Sequence, residues 1–210
     1  MLEEPALTEP HPRSHRVDGR RLRSERTKTL IVEAYLALLR KNPQMPTAAQ
    51  IAKQAGYSVR SIFERFADIP ALTLATADYA IAAGQAEAVA RDVDGDRPTR
   101  IRSHVATRAL ACEKWLPLWR VLTATQDQLA DLKTRVVVAR LGNIERMKLM
   151  YRPELATLPA AECEQLLVAL ATLISFESWD QMRNCYGLSV EAAQGVWLSA
   201  IDRALPAAAE

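Results

Sequence analysis

The residues best suited to specific chemistry lie in one short segment, from Val59 to Arg65. Arg60 and Arg65 carry guanidinium groups, Ser61 a hydroxyl and Glu64 a carboxylate, whereas Val59 offers apolar contact. A guanidinium group pairs with the acceptor edge of guanine or with phosphate oxygens, and an aliphatic side chain can touch the methyl group of thymine. These residue types therefore fit recognition of nucleic acid.

Two short helices joined by a tight turn are expected to position this segment, within residues 47–72. Thr47 and Ser58 are suitable N-caps, because a side-chain oxygen can accept a hydrogen bond from a free backbone N–H at a helix start. Gly56 fits the turn, where a positive φ would strain other residues. Ala52 supplies the small residue needed where the helices cross. The second helix would turn three apolar residues inward, Ile62, Phe66 and, in part, Phe63.

A longer segment that includes these two helices, about residues 24–75, resembles the DNA-binding domain of the TetR family of transcriptional regulators. The features that carry the resemblance are Thr47, Ile51-Ala52, Ala55-Gly56-Tyr57-Ser58, the aromatic pair Phe63 and Phe66, and Leu72. The resemblance implies a helix-turn-helix whose second helix, the recognition helix, enters the major groove of DNA. It also implies sequence-specific control of transcription, with repression as the family's default.

Individual roles follow from this placement. Arg60 and Ser61 lie near the start of the recognition helix and could contact base edges, and Val59 could touch a thymine methyl group. Candidates for phosphate contacts are Thr47, Ser58 and Arg65.

Four nearby positions have alternatives or depart from the family pattern. Tyr57 either wedges against the DNA backbone or packs within the domain, and Glu64 either accepts from cytosine or stays solvated. Phe63 stands where the family usually has a tyrosine, whose hydroxyl is suited to bind phosphate. Ile69 stands where a lysine commonly contacts phosphate. These departures weaken positioning contacts more than base reading, and the arginine-rich N-terminal arm could compensate by reaching phosphates or the minor groove.

Positive charge is concentrated towards the N-terminus. Residues 11–70 hold twelve Lys and Arg against five Asp and Glu, a net charge of +7, whereas residues 71–210 carry −2. This asymmetry suits a polyanionic partner for the N-terminal module. The alternative is a non-specific nucleic-acid-binding or structural helical module, which would spread its charge over the whole surface.

Composition predicts an all-α chain of about nine helices, because Ala and Leu dominate while β-branched residues and Gly are few. We expect a disordered basic arm over residues 1–22, a helix-turn-helix domain over 23–70 and a helical ligand-binding and dimerisation domain over 71–210. The first helix is expected to begin near Ser24. Later, Pro117 is expected to open a short segment, and one helix is expected to run from Ala160 to Tyr186 and end at Gly187.

The resemblance implies that the last domain forms a homodimer and binds a small molecule of unknown identity. The helix near 160–186 is more apolar than one stripe requires, so that either a partner subunit or a single core could bury the excess, together with Val196, Trp197 and Ile201. Aromatic candidates for ligand contact are Trp115, Trp119, Tyr151 and Trp179, although tryptophan at helical spacing is more often a core residue. Polar candidates are His104, Arg120 and Glu177.

An enzyme is not expected from this sequence. Two of the three histidines lie in the N-terminal arm, and no Gly-rich phosphate loop, HExxH or GxSxG occurs. No cofactor or metal is implied, since the three cysteines form no CxxC pair. No stretch approaches the ~18 consecutive apolar residues of a membrane span, and the N-terminus lacks a secretory signal pattern. A cytoplasmic location is therefore expected.

Overall fold

A computed structural model of the chain describes residues 15–208, apart from the side chains of residues 15–18, 20 and 128. Within residues 15–208 there is no strand, and the predicted all-α architecture is confirmed. The helices are α1 His15–Lys41, α2 Ala48–Ala55, α3 Val59–Phe63, α4 Ile69–Glu87, α5 Arg97–Thr125, α6 Ala130–Met150, α7 Arg152–Leu155, α8 Ala160–Leu173, α9 Phe176–Asp180 and α10 Val190–Ala204. A 3-10 turn, Gln126–Gln128, precedes α6, and a π-helical turn, Gln181–Cys185, follows α9. None of these helices is both long and apolar enough to cross a lipid bilayer.

Helix α1 begins at His15, well before the predicted start near Ser24. The prediction of a disordered arm is therefore wrong for residues 15–22, while residues 1–14 of that arm lie outside the described part of the chain. Arginine and leucine, which occupy positions 20–23, are good helix formers. Adding such residues to an existing helix avoids the cost of nucleation, so that α1 can extend without burying them.

The turn that joins α2 to α3 forms as predicted. Gln50 N donates to the Thr47 hydroxyl (3.3 Å) while Thr47 N donates to Gln50 Oε1 (2.8 Å), which makes a reciprocal capping box at the start of α2. Gly56 has a φ of +72°, in the left-handed region where glycine is favoured. Ser61 N donates to the Ser58 hydroxyl (3.1 Å) and so caps α3. Local hydrogen bonds thus define both helix starts.

Burial fixes the orientation of α3, which has only five residues. Ile51 of α2, Ile62 of α3 and Phe66 are buried in one apolar core with residues of α1 and α4. Phe66 lies in the turn after the last residue of α3, Phe63, rather than inside the helix as predicted. Burying a side chain of this size stabilises the fold by about 1.5–3 kcal/mol, enough to hold such a short helix in place.

Helix α4 connects the N-terminal helices to the rest of the chain. Ala71 N donates to the Asp68 carboxylate (2.7 Å), which caps α4 as predicted. The Thr73 hydroxyl donates to the carbonyl of Ile69 (2.9 Å), so it accepts from the Tyr35 hydroxyl of α1, 2.9 Å away. Both Thr73 and Tyr35 are fully buried. The first turns of α4 are therefore fixed to α1, while α4 as a whole also packs on α5 and α6.

Helix α5 continues past Pro117 without ending, contrary to the predicted break. Proline removes one backbone hydrogen bond inside a helix and costs roughly 3 kcal/mol. The residues on both sides of it, Trp115, Leu116, Leu118 and Trp119, are all buried. Their burial outweighs the cost of the proline, which is a tertiary effect that the local sequence does not reveal.

The predicted single helix over 160–186 is divided in two. Helix α8 ends at Leu173, and Ser175 caps α9 by accepting a hydrogen bond from Ser178 N (3.1 Å). Arg108 of α5 donates from Nε to the carbonyl of Ile174 (2.8 Å), which would otherwise lack a partner at the end of α8. A side chain distant in sequence therefore stabilises a break that helical periodicity hides.

A buried ion pair ties the start of α5 to α7. Arg100 Nη2 donates to Glu154 Oε1 (2.6 Å), and Nη1 donates to Glu154 Oε2 (2.9 Å) and to the carbonyl of Met150 (2.8 Å). Both side chains are buried. Such a pair stabilises the fold only while both charges remain, because removing one leaves the other charged and desolvated.

Candidate nucleic-acid interface and interior cavity

The outward face of α3 consists of two rows of side chains. Val59 and Phe63 form an apolar row and are 40% and 46% exposed. Arg60 and Glu64, of which Glu64 directly follows the helix, form a charged row. Residues four positions apart share one face of a helix, and Ile62 points the opposite way into the core. Both rows therefore face solvent.

The two arginines of this segment differ in how far they extend. The Arg60 side chain is 89% exposed, and its Nε donates to Glu64 Oε1 (3.0 Å). An exposed i, i+4 pair is worth only about 0.3–0.5 kcal/mol, so Arg60 can exchange Glu64 for another partner at little cost. Arg65 is 25% exposed and donates to the carbonyl of Ser61 (3.1 Å), so it lies folded back along α3.

The three predicted hydroxyl contacts all take part in helix capping. The Thr47 hydroxyl donates to Gln50 Oε1 (3.1 Å), and the Ser58 and Ser61 hydroxyl oxygens lie 3.0 Å apart. A phosphate oxygen only accepts hydrogen bonds, so Thr47 would have to release Gln50 to donate to it. In the serine pair one hydroxyl donates to the other, which leaves one proton available for a phosphate.

Two further positions of this region are half-buried. Tyr57 packs against the apolar core, so its ring contacts the domain itself. Ile69, where the family pattern has lysine, packs against the same core at the first position of α4.

Behind these helices, a cavity of about 180 Å³ lies among α4, α5 and α6. Two of the predicted ligand residues, Trp115 and Trp119, line it, and Phe176 adds a third aromatic ring. Phe176 stacks on Trp119 with ring centroids 4.7 Å apart. Small residues leave the space between the helices: Ala77, Ala80, Gly84, Ala111, Ala139 and Gly142.

Glu177 lines a neighbouring cavity of about 460 Å³, to which Trp119 also contributes. Trp119 Nε1 donates to Glu177 Oε1 (3.1 Å), and Arg140 donates to the same oxygen (2.8 Å). Burial by itself would raise the pKa of Glu177, but its hydrogen bonds, including those from Arg140 and Trp119, hold it below the ordinary value. Glu177 is therefore ionised and already paired.

His104 and Tyr151 lie together in the core rather than at either cavity. A hydrogen bond of 2.6 Å joins His104 Nδ1 and the Tyr151 hydroxyl, and both residues are fully buried. Burial, and after it the positive charges of Arg146 and Arg108, lower the pKa of His104 to about 3. The imidazole is therefore neutral at physiological pH.

Arg120 and Trp179, the last two predicted ligand residues, are held by other side chains. Arg120 pairs with the Asp180 carboxylate. Trp179 Nε1 donates to Glu113 Oε1 (2.7 Å), and its ring packs on Trp197 with centroids 4.7 Å apart. Neither side chain lines the cavities described above.

Sequence reasoning missed the polar lining of the first cavity, which includes Arg108, Arg135, Asn143 and Arg146. In the sequence these residues look like ordinary polar surface residues of amphipathic helices. Glycine inside a helix costs about 1 kcal/mol relative to alanine and usually has a packing reason. Gly142, in the middle of α6, was therefore a signal that an open space or a close contact lies there.

Comparison with known proteins gives a match at the level of structure. No family model matches this sequence, and no curated protein sequence matches it. A crystal structure from Rhodococcus sp., assigned to the TetR family of transcriptional regulators, matches with a TM-score of 0.67, covering 86% of this chain and 98% of that chain. The sequence identity is 18%, so the likeness concerns the fold. The chain therefore has the all-α fold of the TetR-family transcriptional regulators, as the motif over residues 24–75 implied.

Proposed function

We propose that this protein is a sequence-specific DNA-binding transcriptional regulator of the cytoplasm, with α3 as its recognition helix. The observation that carries the proposal is the outer face of α3, where Val59, Arg60, Phe63 and Glu64 face solvent while Ile62 anchors the inner face. A helix with its side chains is about 10–12 Å across, which fits a major groove about 12 Å wide.

Arg60 is the residue we assign to base reading. Its extended guanidinium can donate two hydrogen bonds to O6 and N7 of one guanine, the commonest specific contact in the major groove. Val59 and Phe63 supply apolar contact beside it, suited to thymine methyl groups. Exposed arginines of α1, among them Arg21, Arg23 and Arg26, add positive charge that can neutralise phosphates.

The proposed regulator acts as a homodimer. A two-fold dimer presents two recognition helices to successive major grooves, about 34–36 Å apart. Most of the excess apolar side chains predicted for α8 and α10 are buried within the chain itself, since Leu170, Trp197 and Ile201 are at most 1% exposed. Val168 of α8 (61% exposed) and Val196 of α10 (45% exposed) remain outside. We assign these outer faces of α8 and α10 to the interface.

We further propose that a small molecule releases the protein from its DNA site. The protein without ligand then stays on the DNA, so repression is its default action. The cavity among α4, α5 and α6 is the proposed effector site. Helix α4 lines it from Ala77 to Gln85, while the first turns of the same helix are bonded to α1 through Thr73 and Tyr35. A ligand that shifts α4 would therefore shift the DNA-binding helices of its subunit and change their separation in the dimer.

The first test measures sequence-specific binding. Sites would be selected from a pool of random duplexes, and affinity for the best site would be compared with a scrambled duplex at two salt concentrations. We expect preference for the selected site, and loss of that preference in Arg60→Ala. Arg152→Ala is the matched control, because it removes the same positive charge at another exposed arginine. Equal affinity for both duplexes with a steep salt dependence would instead indicate non-specific backbone binding.

The second test concerns the dimer. Val196→Asp should yield monomers in light scattering and lose most DNA affinity, since a buried carboxylate would face its copy across the two-fold axis. Val137→Asp on α6 is the control, because both valines are 45% exposed. If only Val137→Asp gives monomers, the interface lies on α6, and the assignment to α8 and α10 is wrong.

A further inference from the structure

The cavity among α4, α5 and α6 has the size of a single small ring compound. Its volume of about 180 Å³ exceeds that of an engineered apolar cavity of roughly 150 Å³ that binds benzene. The rings of Trp115, Trp119 and Phe176 form part of its wall. A flat apolar molecule would therefore fit among these rings, with room for one polar substituent.

The ionised groups that line this cavity are all positive. They are Arg108, Arg135 and Arg146, and none of the aspartates and glutamates whose side chains are described lines it. Arg135 is neutralised by Asp78, to which its Nε donates (2.9 Å). In the part of the chain whose side chains are described, Arg108 and Arg146 form no ion pair. Two positive charges at the cavity therefore lack a carboxylate counterpart.

Arg146 holds one of these charges in a half-buried position. Its Nη atoms donate to the backbone carbonyls of Ala88 and Val89 at the end of α4. Its Nε is buried and has no acceptor among the described residues. Burial lowers the pKa of Arg146 below its ordinary value, because desolvation disfavours the charged form. A bound anion would offset that desolvation.

Trp115 contributes a second donor without an acceptor. The side chain is only 7% exposed, and its Nε1 is buried beside Gly84 with no hydrogen-bond partner among the described residues. Buried polar groups in folded proteins are nearly always hydrogen-bonded, and exceptions call for an explanation such as a bound water or ion. Trp115 Nε1 and Arg146 Nε both belong to side chains that line the cavity.

We propose that this cavity binds a small aromatic carboxylate, with the ring among Trp115, Trp119 and Phe176 and the carboxylate towards Arg108 and Arg146. The carboxylate oxygens supply the acceptors that the buried donors lack, and their charge balances the two guanidinium groups that have no carboxylate partner among the described residues. A cationic ligand would be repelled by the arginines, and a neutral one would leave their charge uncompensated. The inference rests on the proposed function, in which this cavity is the effector site.

Calorimetric titration of the full-length protein tests the charge requirement. The probes are benzoate and phenylacetate, with benzamide as the neutral analogue and benzylamine as the cation. We expect each carboxylate to bind at least about tenfold more tightly than benzamide, because hydrogen bonds to a charged acceptor are stronger. We expect benzylamine not to bind. Tighter binding of benzamide or benzylamine, or no binding of either carboxylate at millimolar concentration, would overturn the inference.

Variants locate the binding site. Arg146→Met should weaken carboxylate binding about tenfold to a hundredfold and leave benzamide binding unchanged. Trp115→Phe keeps most of the ring but removes the indole donor, and should weaken binding less. Arg102→Met, at an exposed arginine of α5 outside the cavity, is the matched control. If both arginine variants lose affinity equally, or neither does, the assigned site is wrong. Circular dichroism verifies that each variant is folded.

DNA affinity of the same preparations without ligand separates this inference from the proposed function. A protein that binds its selected DNA site but no carboxylate refutes the ligand class alone. A protein that binds benzoate through Arg146 but shows no preference among duplexes refutes the regulator and keeps the ligand site. When both bindings occur, benzoate should release the DNA.

Discussion

Replacement of Glu64 tests how α3 would approach DNA under the proposed function. In the free protein its carboxylate holds Arg60 through a 3.0 Å ion pair on the solvent face of the helix. If Arg60 reads a base, this pair must break on binding, and Glu64 is left near phosphates that repel it. Replacing Glu64 by glutamine should therefore strengthen DNA binding, whereas a carboxylate that accepts from cytosine would make the same replacement harmful.

The size of the gain follows from the exposed pair. Breaking it costs about 0.3–0.5 kcal/mol per subunit, so the two subunits of the proposed dimer would recover roughly 0.6–1 kcal/mol, or about threefold to fivefold in affinity. Relief of the repulsion between Glu64 and the phosphates adds to this value at low salt and fades as salt screens it. The expected result is at least threefold tighter binding of Glu64→Gln, with the larger gain at low salt.

Fluorescence anisotropy with the selected duplex would measure this change. Glu145→Gln is the matched control, since Glu145 forms an exposed pair with Lys148 (2.7 Å) on α6 and its replacement changes net charge equally. If Glu145→Gln tightens binding as much as Glu64→Gln, the gain reflects net charge and not the release of Arg60. Weaker binding by Glu64→Gln, together with a changed preference at one C·G pair, would refute the reasoning and make Glu64 a base-reading residue.

Three further predictions concern the scaffold behind α3. Glu154→Gln should lower the free energy of unfolding in urea by about 3–5 kcal/mol, since it leaves Arg100 charged and buried; a loss below about 1 kcal/mol would mean that the pair is hydrated. The native pKa of His104 is about 3, whereas the pKa of a histidine in an unfolded chain is about 6.5. Between these two pH values His104 therefore binds a proton only when the chain is unfolded. Stability should therefore fall on acidification through this window by up to about 1.4 kcal/mol per pH unit, and His104→Gln should show a smaller slope; equal slopes would mean that native His104 takes up the proton. Tyr35→Phe should cost about 1 kcal/mol in thermal unfolding through its lost hydrogen bond to Thr73, and an unchanged melting temperature would contradict that bond.

The parts of the fold that could be predicted are those governed by local rules. Thr47 and Ser58 cap helices because their own oxygens reach a backbone N–H three residues away. Gly56 adopts a positive φ because the turn needs one. These interactions span only a few residues, so the sequence contains all the information that they require, and the starts of α2 and α3 were predicted correctly.

The errors occur where distant residues decide the outcome. Helix α5 continues through Pro117 because tryptophans and leucines on several faces of it are buried by other helices. The break after α8 depends on Arg108, which is far away in sequence and donates to the carbonyl of Ile174. Neither effect could be predicted from nearby residues. A proline usually ends a helix, and the pair Ile174-Ser175 fits the helical periodicity of the segment around it.

The candidate sites divide along the same line. The face of α3 comes from one helix, so the period of its residues was enough to predict that Arg60 faces outward and Ile62 inward. The cavity is formed by α4, α5 and α6 together with Phe176 of α9, and its character depends on which arginines find a carboxylate partner once these helices pack. Arg135 does so with Asp78, whereas Arg146 reaches only carbonyls at the end of α4. Since only packing separates these two arginines, a ligand preference for anions could be inferred from the structure but not from the sequence.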